Sequence, residues 1–179
     1  MIEVLVSIVV LSFGLLGMVG MQAAALQANR EARLQSAATV LARELADMIR
    51  GNKDIGILTS GNPYLGSFTS PLTAATPTYC LNVGSSCTST TDVANAQMTE
   101  WLARVDAEVP SARVTICFDT APYDANGLPQ WTCTAAANAM MVVKIGWTTS
   151  STNKSLTGSS AIDQAARPSI VLPVTAGNS

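Results

Sequence analysis

The sequence predicts an α+β protein, in which a long N-terminal helix, apolar in its first half and amphipathic in its second, packs on a small antiparallel sheet. Three observations lead there. An uncharged run extends from Val4 to Met21, an apolar stripe at helical spacing follows it, and three short apolar segments with strand character close the chain.

The first run is about 18 residues long and reaches Leu26 if Gln22 is tolerated, close to the ~20 residues that cross a bilayer. It reads as a retained span rather than a cleaved signal peptide, because it lacks a basic start and runs without a small-residue cleavage pattern into helix-forming sequence. Beyond it, Leu34, Ala38, Leu41, Leu45 and Met48 recur at steps of four and three, marking one buried face. Arg43, Glu44, Asp47 and Arg50 lie opposite, with Arg43 and Asp47, and Asp47 and Arg50, spaced to pair. Gly51 and Asn52 supply a stop, so the helix runs from Ile2 to Arg50, roughly 70–75 Å at 1.5 Å per residue.

From Lys53 to Thr91 the composition shifts to Gly, Ser, Thr, Asn and Pro, and predicts a surface connection with little regular structure. Asp92 or Thr91 then caps a second helix whose Ala94, Met98, Trp101, Leu102 and Val105 face inward, ended by Pro110. Strands are expected at 113–118, 140–148 and 169–174, the middle one burying Met141, Val143, Ile145 and Trp147 on one face. Thr148–Ser160 reads as a loop, and Pro173 marks an edge strand. Three segments result: 1–26 in the membrane, 27–52 packing on the head, and 53–179 forming a disulfide-containing head.

Composition narrows the function. The chain has no histidine, so a histidine-based triad, metal ligand or proton shuttle is excluded. Its three lysines, Lys53, Lys144 and Lys154, form no basic face for nucleic acid. Cys80, Cys87, Cys117 and Cys133 contain no C-x-x-C pair, which argues against zinc and for disulfides in an oxidising compartment. Of three pairings, Cys80–Cys87 and Cys117–Cys133 close the shortest loops, each worth roughly 2–3 kcal/mol in the loop-entropy account. No cofactor or metal is expected. Asp119 and Asp124 flank a TAPY turn with no catalytic motif around them, so a membrane-anchored hydrolase is a remote reading and the chain is read as a non-enzyme.

One feature of the span needs a reason. Glu3 stands at its lip, where a charge near the bilayer interior costs roughly 2.5–3.5 kcal/mol. The segment IEVLVSIVVLSFGLLGMVGMQ resembles the N-terminus of type IV pilins, and LSFGLLGMVGMQ resembles the PilV-like minor pilins. The specific signal covers about the first 50 residues, while the four-cysteine head is compatible and less diagnostic. The resemblance implies a precursor held in the inner membrane with its head in the periplasm, cut by a prepilin peptidase, methylated at its new amine and drawn into an extracellular pilus. Its partners would be major and minor pilins, contacted through the bundled N-terminal helices, with a role in starting assembly at or near the tip. It further implies a basic leader ending in glycine ahead of Met1, whose charges set the orientation despite Arg30 and Arg33 beyond the span. Glu3 becomes the residue that pairs with a neighbouring subunit's α-amine. The proline common in major pilins is absent here. Gly14, Gly17 and Gly20 occupy that region, and both close helix packing and local unwinding on assembly stay open as their role. Two further readings also stay open: a minor pseudopilin of type II secretion, and a tip adhesin that binds a surface or glycan through loops at 56–79 and 148–160.

Overall fold

The computed structural model describes residues 2–150 and 162–177. Helix α1 spans Ile2–Gly51, a single turn α2 spans Lys53–Gly56, and α3 spans Thr90–Glu108. Strands β1 (Gly66–Thr69), β2 (Arg113–Asp119), β3 (Met140–Gly146) and β6 (Ile170–Val174) form an antiparallel sheet in the order β1-β2-β3-β6. A second ladder pairs β4 (Thr148–Ser150) with β5 (Ile162–Gln164). The α+β class therefore holds, with a long apolar N-terminal helix and a small antiparallel sheet. Contacts divide the chain into two units, 1–36 and 37–179.

In the first unit the side chains from Ile2 to Arg30 are all exposed. Ile2, Leu5, Val6, Ile8, Val10 and Met18 lie around the whole circumference, so no face of this segment is polar. Ser7 and Ser12 are tolerated because each hydroxyl donates to the carbonyl four residues back, of Glu3 at 2.8 Å and of Ile8 at 2.7 Å.

In the second unit α1 buries Ala38, Leu41, Ala42, Leu45, Ala46 and Ile49. The expected stripe is corrected at its end: Met48 is half-buried, and Ile49 takes the interior position, because small Ala42 and Ala46 widen the buried face by one row. Across that interface the Trp101 indole Nε1–H of α3 donates to the Leu41 carbonyl at 2.8 Å, which keeps a large aromatic's polar atom satisfied in the core. On the outer side Asp47 pairs with Arg50 at 2.7 Å, and Glu44 pairs with Arg104 of α3 rather than serving α1 alone.

Helix α3 starts earlier than expected. Ser89, not Asp92 or Thr91, is the cap: its hydroxyl accepts from the Asp92 N–H at 3.1 Å and donates to the Asp92 carboxylate at 2.9 Å. This reciprocal pair is a variant of the capping box, with aspartate in place of glutamate and its carboxylate answering the cap's hydroxyl. Thr88 also donates to that carboxylate, and the hydroxyls of Thr88 and Ser89 hold the Asp92 pKa below its usual range. Replacing Ser89 by alanine is expected to cost about 1 kcal/mol of head stability, read by chemical denaturation.

The segment 53–91 is also more ordered than its composition suggested. It contains α2 and strand β1, which pairs Phe68 with Val114 and Gly66 with Ile116. Four residues of Gly, Ser, Phe and Thr carry no periodic signal, and β1 exists because β2 offers it an edge. The expected loop from Thr148 is likewise corrected, since β4 occupies 148–150; the remainder, 151–160, lies outside the described residues. Pro173 does sit on an edge strand, opposite Val142.

Strand β3 differs most from expectation. Alternation along it predicts burial on one face, yet every residue from Met141 to Gly146 is buried. Register explains it: Val114, Ile116, Val143 and Ile145 share one face, and all four are buried. Thr115, Cys117, Asp119, Val142 and Lys144 share the other. That second face is covered by the segment between β2 and β3, and the buried cation on it needed an answering charge.

Candidate functional site

Two features carry chemistry, one in each unit. In the first unit, Glu3 lies in the first turn of α1, exposed, at the foot of the uncharged run. An 18-residue window of α1 has a mean hydropathy of 2.5, long and apolar enough to cross a membrane. A Cβ placed on Gly14, Gly17 or Gly20 would meet nothing within 4 Å among the described residues.

In the second unit, the segment after β2 is closed by Cys117–Cys133, and a smaller loop by Cys80–Cys87. Beside the first disulfide lies Lys144, a residue that the sequence marked only by its rarity. Its side chain and that of Asp119 are both fully buried. The Lys144 ammonium donates to Asp119 Oδ2 at 2.6 Å and to the carbonyls of Gln130 and Thr132 at 2.8 Å each, using all three of its hydrogens. Asp119 Oδ1 in turn accepts from the N–H groups of Ala121 at 2.9 Å and Thr134 at 3.0 Å. Burial would raise the Asp119 pKa, but the ammonium and the two N–H groups outweigh it and hold the carboxyl below its ordinary value. Among the described residues no buried side-chain nitrogen or oxygen lacks a partner.

This arrangement is a staple. It ties both ends of the 120–132 segment to the sheet at the place where the disulfide ties them covalently. Cys117, Asp119 and Cys133 lie close enough to suggest a metal site, but the two sulfurs are bonded to each other and Asp119 is occupied by three donors. The donor set does not fit an ion. Nor do Asp119 and Asp124 act as a carboxylate pair, since Asp124 accepts from Leu128 and Asn126 N–H groups and pairs with Arg167 at 2.8 Å. The Leu128 N–H, with Arg167 second, draws the Asp124 pKa down.

Further along the same segment, Trp131 lies beneath the Arg113 guanidinium, 4.4 Å from its ring centroid, and donates to the Ala165 carbonyl at 2.8 Å. It covers Gly146, where a Cβ would come within 2.8 Å of the indole and 3.1 Å of the Arg167 carbonyl. Gly146→Ala is therefore expected to cost about 1–3 kcal/mol by overpacking and to shift the near-ultraviolet circular dichroism of the tryptophans.

No protein-family model matches the chain, and comparison with curated proteins and with solved structures finds no match.

Proposed function

We propose that the chain is a minor pilin of a type IV pilus, PilV-like, that helps to start assembly and resides at or near the filament tip. The observation that carries this reading is the first half of α1, which is apolar around its full circumference, exposed throughout, and headed by a single carboxylate. Covering one such side chain is worth roughly 1.5–3 kcal/mol, so over the run the incentive is tens of kcal/mol. Lipid supplies that cover first, and the helices of other pilin subunits supply it in the filament. A carboxylate at the helix start suits the second environment better than the first, because a neighbouring α-amine can neutralise it there. The head, with its own core and two disulfides, suits the periplasm and the outside of a filament.

The test is to express the tagged full-length precursor in a piliated bacterium and probe the membrane fraction and sheared pili. The protein is expected in both. A stable membrane pool with none in pili would overturn the proposal, and co-purification with a type II secretion complex instead would favour a pseudopilin. A tip adhesin would additionally require the head to bind surface or glycan. Independence of the head is a related expectation: without residues 1–26 it should remain soluble and unfold cooperatively, since the interior residues of α1 begin at Ala38.

A further inference from the structure

We propose that Asn126 is a site of spontaneous deamidation, converted to aspartate and isoaspartate through attack by the Gly127 nitrogen. Asn126 is the one asparagine followed by glycine. It lies at the tip of a small hairpin in the disulfide-closed segment, where Tyr123 pairs with Pro129 and the Asp124 N–H donates to the Leu128 carbonyl at 2.8 Å. Both Asn126 and Gly127 are exposed, and the Asn126 side chain makes no hydrogen bond among the described residues. Gly127 has a φ of 75°, and a Cβ built on it would meet nothing within 4 Å, so no side chain of its own and no neighbour crowds that side of the turn.

Other asparagines lack this combination. The Asn52 amide donates to the Thr90 carbonyl, and the Asn62 amide to the carbonyls of Gly56 and Leu58. Asn62 also precedes Pro63, whose nitrogen has no proton to lose. Asn82 is exposed but is followed by β-branched Val83. At Asn126 and Gly127 the backbone N–H groups donate to Asp124, to its carboxylate at 2.9 Å and to its carbonyl at 2.9 Å, both bonds lying in an exposed turn and readily exchanged for water.

The chemistry needs no oxidant or cofactor. Gly127 N gives up its proton to water or hydroxide and bonds to the Asn126 Cγ; the bond from Cγ to the side-chain nitrogen breaks, and ammonia leaves with a proton from solvent. Water then opens the resulting five-membered imide at either carbonyl, giving aspartate or isoaspartate. Each event adds one negative charge beside the Asp124–Arg167 pair, and the isoaspartate form adds a backbone carbon that breaks the hairpin register. The disturbance stays local because the disulfide and Lys144 hold the ends of the segment.

The experiment is peptide mapping by mass spectrometry of the detergent-purified full chain, incubated at 37 °C at several pH values. The expected result is a gain of about 1 Da at Asn126, as a mixture of two isomers, at least about ten times faster than at Asn82 and faster as pH rises. Asn126→Gln should abolish the accompanying acidic shift on isoelectric focusing. Equal rates at Asn126 and Asn82, or an Asn126 that stays intact throughout, would overturn the assignment.

Discussion

Replacing Lys144 by methionine is expected to destabilise the head by roughly 3–5 kcal/mol, the cost of leaving a buried charge without its partner. Asp119 would remain fully buried with two backbone N–H donors but no cation, and the carbonyls of Gln130 and Thr132 would lose their donor. An ordinary buried ion pair can often be exchanged for apolar residues at little loss, so the informative companion is Lys144→Met with Asp119→Leu. Here four backbone groups depend on the pair: two carbonyls on the ammonium and the N–H groups of Ala121 and Thr134 on the carboxylate. At roughly 1–3 kcal/mol for each buried group left unmade, the double variant should stay well below the parent protein. Denaturant titration of both variants distinguishes the cases, and a double variant as stable as the parent would show the staple to be dispensable. The same geometry sets an acid limit. The Asp119 pKa is lowered on folding, so its stabilisation is complete above the unfolded value near ~3.9 and is lost as pH falls through the folded value. Stability should therefore drop below about pH 4, and less steeply in Asp119→Asn.

Exchange of Glu3 for glutamine is expected to leave the protein in the membrane with its head folded, yet to lower its recovery in sheared pili by at least about tenfold. In the membrane Glu3 sits at the helix end, where it can reach headgroups and favours the positive end of the helix dipole, so its loss matters little. In a bundle of apolar helices the carboxylate is worth far more when paired and is costly when unpaired. If the chain docks as a pilin, breaking a desolvated pair at roughly 3–5 kcal/mol corresponds to more than about a hundredfold in the docking equilibrium. The pair would also penalise a subunit docked out of register, since the charge would then face hydrocarbon. Immunoblots of membrane and filament fractions, with non-reducing gels to check the disulfides, measure both parts. Incorporation at the parental level would demote Glu3 to a helix-end charge and remove a main support for the pilin reading.

The sequence alone determined those parts of the protein that depend on local pattern. The uncharged run, the helical stripe and the interior face of α3 were legible because each repeats a period set by backbone geometry. The ends of those elements were less so: Ser89 displaced Asp92 as cap because a hydroxyl three residues back could answer the aspartate, and Ile49 replaced Met48 because two alanines broadened the buried face. Strand β1 was invisible in Gly66–Thr69, being made by an edge that only the folded β2 provides. Lys144 is the clearest case of a residue whose role lies outside the sequence pattern. It sits amid six apolar or small residues of β3, and its alternation with Val143 and Ile145 places it on the opposite face. Whether that face is wet or dry depends on how a segment 20 residues long folds back over it. Tertiary structure made it dry, and a buried ammonium is stable only where three acceptors converge on it. Periodicity thus fixes which way a side chain points, while the solvent it meets, and so its charge partners and its chemistry, is decided by chain segments that come together only on folding.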